Sequence, residues 1–79
     1  MKKAYTDKQG QYLAFIYYSN KIHGCSPAEA DLQRYFRVSP PSVHQMILTL
    51  EACGLIERTP GQARSIHLLI PREEIPDLI

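Results

Sequence analysis

The chain has 79 residues, a formal net charge of +1 and a hydrophobic fraction of 44%. This length allows one small domain without the deep pocket of an enzyme, and the hydrophobic fraction excludes a disordered chain. Residues 1–70 carry eight Lys/Arg against five Asp/Glu, a net charge of +3, and residues 71–79 carry a net charge of −2. We therefore expect a mildly basic domain over 1–70 and an acidic C-terminal tail over 71–79.

A first helix is predicted over about residues 7–23. Thr6 and Gln9 stand three residues apart, as in a capping box, where each side chain accepts a hydrogen bond from the other residue's backbone N–H. Apolar residues then recur at helical spacing at Tyr12, Leu13, Ile16 and Tyr17. Gly24 indicates the end of the helix, because glycine readily takes the left-handed conformation that closes one.

Two more helix starts follow, each with a serine directly before a proline. Ser26 and Pro27 predict a short second helix over about 27–35, with the serine as cap and the proline in the first turn. Ser39 and Pro40 predict a third helix over about 40–53. Its apolar residues fall at i, i+3, i+4 and i+7 and form one stripe suited to a core: Val43, Met46, Ile47 and Leu50.

The last part of the domain is predicted to be a β-hairpin. Residues 55–58 and 65–69 have the composition of strands, and Pro60-Gly61 lies in the loop between them, which gives a wing over about 59–65. The order helix, helix, tight turn, helix, hairpin predicts a mainly α fold with a small β-hairpin. This is the winged helix-turn-helix, three helices plus a wing.

The outer face of the third helix is polar and carries no acid. Ser42, Gln45 and Thr49 share one stripe on it. Glutamine can form two hydrogen bonds with adenine, and serine or threonine can bond base edges or phosphate. N–H groups at the helix start suit phosphate oxygens, and we expect them to be free at Ser39, Ser42 and Val43. The pattern predicts a recognition helix for the major groove of double-stranded DNA, with an ordinary solvated face as the alternative.

Basic side chains surround this face. Arg58 and Arg64 flank the hairpin loop, and Gln62 lies at its tip. This arrangement predicts a wing that contacts phosphate or the minor groove. Arg37, in the turn before the third helix, is placed for a backbone phosphate. His44 is a candidate for guanine or phosphate, in a contact that would depend on pH. For each of these side chains a solvated surface position is the alternative.

Several other site types are not indicated. The two cysteines, Cys25 and Cys53, lack the spacing of a metal site, and we expect them to act as small apolar residues. Neither a signal peptide nor an apolar run of about 20 residues is visible, so we expect a cytoplasmic chain with no membrane partner. We expect no cofactor and no small-molecule substrate. The aromatic residues predicted to face the core argue against a single-strand platform: Tyr12, Tyr17, Tyr35 and Phe36.

Short motifs in a particular order resemble the DNA-binding domain of LexA repressors. They are Thr6 and Gln9, then "PAEADLQRYF", "RVSP", "GLIE" and "GQARSIHLL", and together they extend to about Leu69. The resemblance implies sequence-specific binding of operator DNA, with the third helix in the major groove and the wing on the backbone. The contacts that it implies are Ser39, Pro41, Ser42, His44, Gln45, Arg64 and Ser65.

The chain departs from the family pattern at the base-reading positions. LexA repressors typically have an asparagine where Pro41 stands and two glutamates where His44 and Gln45 stand, so we expect a different operator. The chain ends at Ile79, and we therefore expect no peptidase domain, self-cleavage or damage-response control. A homodimer on paired half-sites could use apolar residues outside the predicted core: Leu48, Ile75, Leu78 and Ile79. Packing of the C-terminal tail on its own domain is the alternative for these residues.

Two other function classes compete with a DNA-binding regulator. A winged-helix protein-interaction module without DNA binding is favoured by the low net charge and the acidic tail. An enzyme is disfavoured, because the sequence contains no nucleophile–base pair in a recognisable arrangement, no phosphate-binding loop and no metal cluster.

Overall fold

The computed structural model describes residues 5–79, and these form three helices followed by a two-stranded antiparallel hairpin. The elements are α1 Asp7–His23, α2 Glu29–Phe36, α3 Pro40–Ala52, β1 Ile56–Glu57 and β2 His67–Leu68, with a 3₁₀ turn at Arg72–Glu74. The mainly helical winged helix-turn-helix fold is thereby confirmed.

Helix α1 begins and ends where its local signals predict. The backbone N–H of Gln9 donates to Thr6 Oγ1 at 3.2 Å, and the N–H of Thr6 donates to Gln9 Oε1 at 2.9 Å, which completes the capping box. At the other end Gly24 has φ 75°, and its N–H donates to the carbonyl of Asn20 at 2.9 Å. Both ends are determined by residues within four positions, which explains why the sequence predicts them.

Helix α2 begins two residues later than predicted. Ala28 occupies the cap position, and its backbone N–H donates to Asp31 Oδ2 at 2.9 Å. Ser26 does not cap the helix: it is buried, and its hydroxyl has no hydrogen-bond partner among the described residues. The prediction of Ser26 as the cap is therefore wrong, because the carboxylate of Asp31 determines where the helical hydrogen bonding begins.

Helix α3 follows its prediction closely. Ser39 caps it, and Pro40 and Pro41 fill the first two helical positions, where no backbone N–H is required for the helix. The helix buries Val43, Ile47 and Leu50. The stripe predicted from the periodicity of the sequence is therefore the face that packs on the core.

The hairpin is shorter than predicted. Ile56 pairs with Leu68 and Glu57 with His67, and Leu69 N–H donates to Leu55 O at 2.9 Å just beyond the ladder. Ile56 faces the core and Glu57 faces solvent, as expected for alternating sides of a strand. Two residue pairs are few for a stable hairpin, so the wing depends on contacts outside the strands.

The core lies where the three helices and the hairpin meet. Tyr12 of α1 is buried and stacks on Phe36 of α2, with ring centroids 4.3 Å apart and planes 3° from parallel. The remaining buried apolar residues of the cluster come from all three helices and the hairpin: Leu13, Ile16, Leu32, Val43, Ile47, Leu50, Leu55, Ile56 and Ile66. This arrangement fixes α3 by its apolar face and leaves its polar face outward.

Two predictions about burial are wrong. Cys25 and Cys53 are both exposed, since one lies in the turn after α1 and the other caps the end of α3. Tyr35 is 44% exposed and not core-facing; its ring lies 4.6 Å from that of Phe15, and its hydroxyl donates to Ile79 O at 3.2 Å.

The segment after the hairpin lies along α1. Gln11 holds it with both amide atoms: Nε2 donates to Asp77 O at 3.0 Å, and Oε1 accepts from Ile79 N–H at 2.8 Å. Ile75 is only 6% exposed, so the expectation that it supplies a dimer contact is wrong. Ile79, in contrast, is 98% exposed. The boundary at residue 70 stays a prediction.

Gly10→Ala is expected to destabilise the protein. A Cβ at Gly10 would lie 2.8 Å from Tyr5 Cε1 and 3.1 Å from Pro76 Cγ, and the Tyr5 hydroxyl is hydrogen-bonded to Glu74 O. The overpacking, about 1–3 kcal/mol, should outweigh the gain of about 1 kcal/mol in helix propensity. Urea denaturation measures the difference, with Asn20→Ala at an exposed position of α1 as the control. A more stable Gly10→Ala protein would contradict the tight packing described here.

Candidate nucleic-acid interface

The outer face of α3 forms the floor of a shallow depression. Helix α1 contributes Gln9 to its edge, and α3 contributes the rest of the lining: Pro41, Ser42, Gln45, Met46 and Thr49. Four of the predicted DNA contacts, Pro41, Ser42, Gln45 and Thr49, are therefore brought together on one surface. None of the side chains lining this depression carries a charge, so hydrogen bonding dominates its chemistry.

The start of α3 offers fewer donors than predicted. Ser42 N–H donates to Ser39 Oγ at 3.3 Å, and Val43 N–H donates to Ser39 O at 3.2 Å. The expectation that these two amides are free for phosphate is wrong, because Ser39 already accepts from both. The Ser39 and Ser42 hydroxyls lie 2.9 Å apart. Their mutual hydrogen bond uses one of the two hydroxyl protons, so the other proton can be donated to a ligand.

Gln45 and Thr49 are linked by one turn of helix. Thr49 Oγ1 donates to Gln45 O at 2.9 Å, which uses its only proton. Gln45 Nε2 lies 3.5 Å from Thr49 Oγ1, at the long limit of a hydrogen bond. Gln45 is exposed, and its amide can turn toward a ligand at little cost, whereas Thr49 can only accept.

His44 lies on the other flank of α3 and contacts α2. Its Nδ1 lies 3.3 Å and 3.4 Å from the two carboxylate oxygens of Glu29. The imidazole side chain is 53% exposed and that of Glu29 is 34% exposed. The contact fixes which ring nitrogen faces the protein, and it leaves Nε2 without a partner among residues 5–79.

The two predicted wing arginines are paired with acids. Arg64 Nη1 lies 3.1 Å from Asp31 Oδ2 and donates to Ser26 O at 3.4 Å. Arg58 Nε lies 3.3 Å from Glu51 Oε1, and its side chain is only 18% exposed. Arg64 is half-exposed, and among the described residues only its Nη1 has partners. These contacts attach the wing to α2 and to the end of α3.

The wing loop is closed by a serine. Ser65 Oγ accepts from Thr59 N–H at 3.0 Å and lies 2.9 Å from Gln62 O and 3.2 Å from Thr59 O. The hydroxyl of Ser65 is therefore directed into the loop. Gln62 is exposed at the tip, and no hydrogen bond to its side chain is recorded within residues 5–79.

Arg37 is the exposed cation nearest in sequence to α3. It ends α2 in the left-handed conformation, with φ 55° and ψ 50°, and its N–H donates to Gln33 O. Its guanidinium has no hydrogen bond or ion pair with any residue in the described part of the chain. Left-handed backbone is unfavourable for a residue with a Cβ. Arg37 therefore occupies a position where glycine or asparagine would be more stable.

The predicted site residues fall on two surfaces that meet at the His44–Glu29 contact. Arg58, Gln62, Arg64 and Ser65 line a cleft between the hairpin and the start of α2, and Glu29 lines the same cleft. His44 connects the cleft to α3. Neither Gln45 nor Arg64 is buried, and the predicted role of each in DNA contact stays a prediction.

Comparison with known proteins agrees with this architecture. A family model described as the LexA DNA binding domain matches residues 2–65. The chain belongs to this family. The description of this family supports DNA binding by the domain.

LexA repressors of three bacteria are similar to the chain. The identity is 37% over 75 residues for Thermosipho melanesiensis, 36% over 67 residues for Thermosipho africanus and 36% over 75 residues for Pseudothermotoga lettingae. These alignments cover 95%, 85% and 95% of the chain, but only 37%, 34% and 37% of the repressors. The chain thus spans little more than a third of the length of these relatives.

Within this LexA-type domain, Asp31 is a positioning residue that the sequence analysis missed. Its carboxylate accepts from Ala28 N–H and pairs with Arg64 and with Arg34. The Ala28 N–H lowers the pKa of Asp31 most, and the two arginines lower it further against the opposing effect of desolvation. An acid three residues after the cap position was the available signal for the helix start. The pairing with Arg64 had no local signal.

Residues 5–79 lack two further features. They contain no group of three or more His, Cys, Asp and Glu side chains arranged to hold a metal ion. In the same part of the chain, none of the helices combines the length and the hydropathy required to cross a bilayer.

Asp31→Asn is expected to reduce stability by about 1 kcal/mol at pH 7, because asparagine can still cap but cannot pair with arginine as an anion. The folded-state pKa of Asp31 is lowered, so its contribution is present above about pH 4 and is lost as the pH falls through the folded pKa. Urea denaturation from pH 7 to 2.5 should show the difference from wild type shrinking below about pH 4. A difference that stays constant would contradict this assignment, and Glu57→Gln, at an exposed position, is the control.

Proposed function

We propose that the chain binds double-stranded DNA sequence-specifically and regulates transcription, with α3 in the major groove. The observation that carries the proposal is the polar, uncharged outer face of α3 in a domain of the LexA DNA-binding family. In helix-turn-helix proteins, residues near the start of the recognition helix contact base edges. Pro41, Ser42 and Gln45 occupy that position here.

The contacts divide into base reading and backbone positioning. Gln45 is the main base-reading candidate, because its exposed amide can donate and accept toward adenine. The hydroxyl proton left by the Ser39–Ser42 pair would bond a phosphate oxygen or a base acceptor. Arg37 would bind a backbone phosphate next to the helix start, and its unfavourable backbone conformation is consistent with a functional role.

The wing is proposed to approach the DNA backbone through Gln62 and Arg64. Arg64 keeps Nε and Nη2 free of partners within residues 5–79, so it can approach a phosphate without leaving Asp31. Arg58 is a weaker candidate than the sequence indicates, since it is largely buried against Glu51. Ser65 would act by shaping the loop, through the contacts of its hydroxyl with Thr59 and Gln62.

Binding to paired half-sites as a homodimer is proposed as the route to useful affinity. A single module of this kind buries roughly 600–1,000 Å² on DNA, and a chain with net charge +1 gains little from long-range attraction. Ile75 is buried and is therefore excluded from such a contact. Three of the predicted apolar residues remain for it, partly or fully exposed: Leu48, Leu78 and Ile79.

A second candidate function is a protein-interaction module that does not bind DNA. It is favoured by one observation: the two wing arginines pair with acids of the same chain, as expected where no phosphate is to be bound. Alanine at Gln45 and at Arg64 separates the two functions. Loss of binding to a protein partner, with no DNA affinity in the unmodified chain, would favour this second function.

DNA affinity is expected to fall steeply with salt. Each phosphate contact contributes a slope of about −0.9 in a plot of log affinity against log salt. Three to four contacts, from two copies of Arg37 and of the wing, would lower affinity roughly 40- to 150-fold between 50 and 200 mM salt. Fluorescence anisotropy with random duplexes and with duplexes selected from a random pool measures this. A flat salt dependence would exclude phosphate contact.

Arg37→Gly is expected to weaken DNA binding without loss of stability. The substitution removes one phosphate contact per chain, so the salt slope should fall by about 1 per chain. Glycine also relieves the left-handed backbone, which should leave the free energy of unfolding unchanged or raise it by up to about 1 kcal/mol.

The charge-matched control for Arg37→Gly is Lys21→Ala, which removes an exposed cation from the end of α1. It is expected to change the affinity by less than the Arg37 variant, and Arg37→Lys is expected to retain most of the slope. Equal effects of the glycine variant and the Lys21 variant would show that net charge, and not a local contact, is responsible.

A further inference from the structure

Glu29 and His44 form the only recorded side-chain hydrogen bond between α2 and α3 within residues 5–79, and it lies on the flank of α3 that contacts α2. The bond joins Nδ1 of the imidazole to both oxygens of the carboxylate, at 3.3 Å and 3.4 Å. A carboxylate can only accept, so Nδ1 must carry the proton. In the neutral ring Nε2 is then an acceptor, and it has no partner among the described residues.

We propose that Glu29, through the tautomer of His44, determines which class of base α3 reads at this position. This inference rests on the proposed function and deepens it. With Nδ1 protonated and bonded to Glu29, the unprotonated Nε2 selects a base that presents an amino group in the major groove, cytosine N4 or adenine N6. With the proton on Nε2 instead of Nδ1, Nε2 would be a donor and would select guanine N7 or O6.

The surroundings of the pair are compatible with this role. The imidazole is half-exposed, so a base edge can reach it. From α2 the group that faces it is Glu29. From the hairpin, Arg58 and Arg64 line the same cleft as Glu29, but their recorded ion pairs are with Glu51 and Asp31. Within the described residues, Glu29 is the recorded charged partner of the ring.

His44 and Gln45, adjacent on α3, would make chemically distinct contacts. Gln45 can donate and accept through one amide. His44 presents a single atom, Nε2, whose hydrogen-bonding sense depends on which ring nitrogen carries the proton. Replacing Glu29 should therefore change one position of the bound sequence while the position read by Gln45 stays constant.

The first test measures the tautomer in the free protein. Long-range proton–nitrogen NMR of the ¹⁵N-labelled chain at pH 8 is expected to show a protonated Nδ1 and an unprotonated Nε2 in His44. In Glu29→Gln the two tautomers should mix, and in Glu57→Gln, an exposed carboxylate on β1, the signal should stay as in the unmodified chain. A proton on Nε2 at pH 8 would overturn the proposal whether or not DNA is bound.

The second test selects duplexes from a random pool at pH 8 with the unmodified chain, with Glu29→Gln and with His44→Ala. One position should prefer adenine or cytosine by about three- to tenfold in the unmodified chain. Glu29→Gln should weaken that preference or turn it to guanine, and His44→Ala should abolish it. Identical selections by the unmodified chain and by Glu29→Gln overturn the inference alone, because DNA binding would still hold. If the chain binds no duplex, both the proposed function and this role are overturned. The NMR result would still report whether Glu29 determines the tautomer of His44.

Discussion

The geometry of the domain depends on the carboxylate of Asp31. It accepts from the Ala28 backbone N–H, which starts α2, and from Arg64 Nη1, which attaches the wing to that same helix start. The second of these bonds joins residues that are 33 positions apart in the chain. Without them the hairpin would keep its two residue pairs, the Arg58–Glu51 ion pair and the contacts of Ile56 and Ile66 with the core, which constrain its root more than its tip.

The same interaction limits what the wing can do. An arginine that pairs with an internal acid is oriented, since its guanidinium is held on one side, and it has less free charge to offer a phosphate. Ser65 adds to this order by closing the loop from Thr59 to Gln62. The wing is therefore a preorganised surface, and it differs from a flexible basic loop that would bind any polyanion.

Local signals in the sequence predict those parts of the structure that local contacts determine. The bounds of α1 follow from a capping box and a closing glycine, and the buried stripe of α3 follows from its periodicity. Ser26-Pro27 fits the local preferences for a helix start better than Ala28-Glu29, so the predicted start of α2 is wrong. The observed start depends on the carboxylate of Asp31, which also pairs with the distant Arg64. The ion pairs of the wing arginines and the exposure of Tyr35 likewise depend on partners elsewhere in the chain. Spacing rules in the sequence do not connect these residues to their partners.

In the candidate interface several predicted residues share one surface, but their hydrogen bonds differ from those expected. Ser39, Ser42 and Gln45 do lie at the outer start of α3, yet the amides expected to bind phosphate are used by the cap. Electrostatic attraction at this surface then rests on few free cations, of which Arg37 is the one beside α3. Because non-specific affinity for DNA comes almost entirely from phosphate contacts, a domain of this kind would discriminate between sequences more through its neutral side chains than through charge. The orientation of each such side chain, set by partners like Glu29, therefore matters more here than in a strongly basic domain.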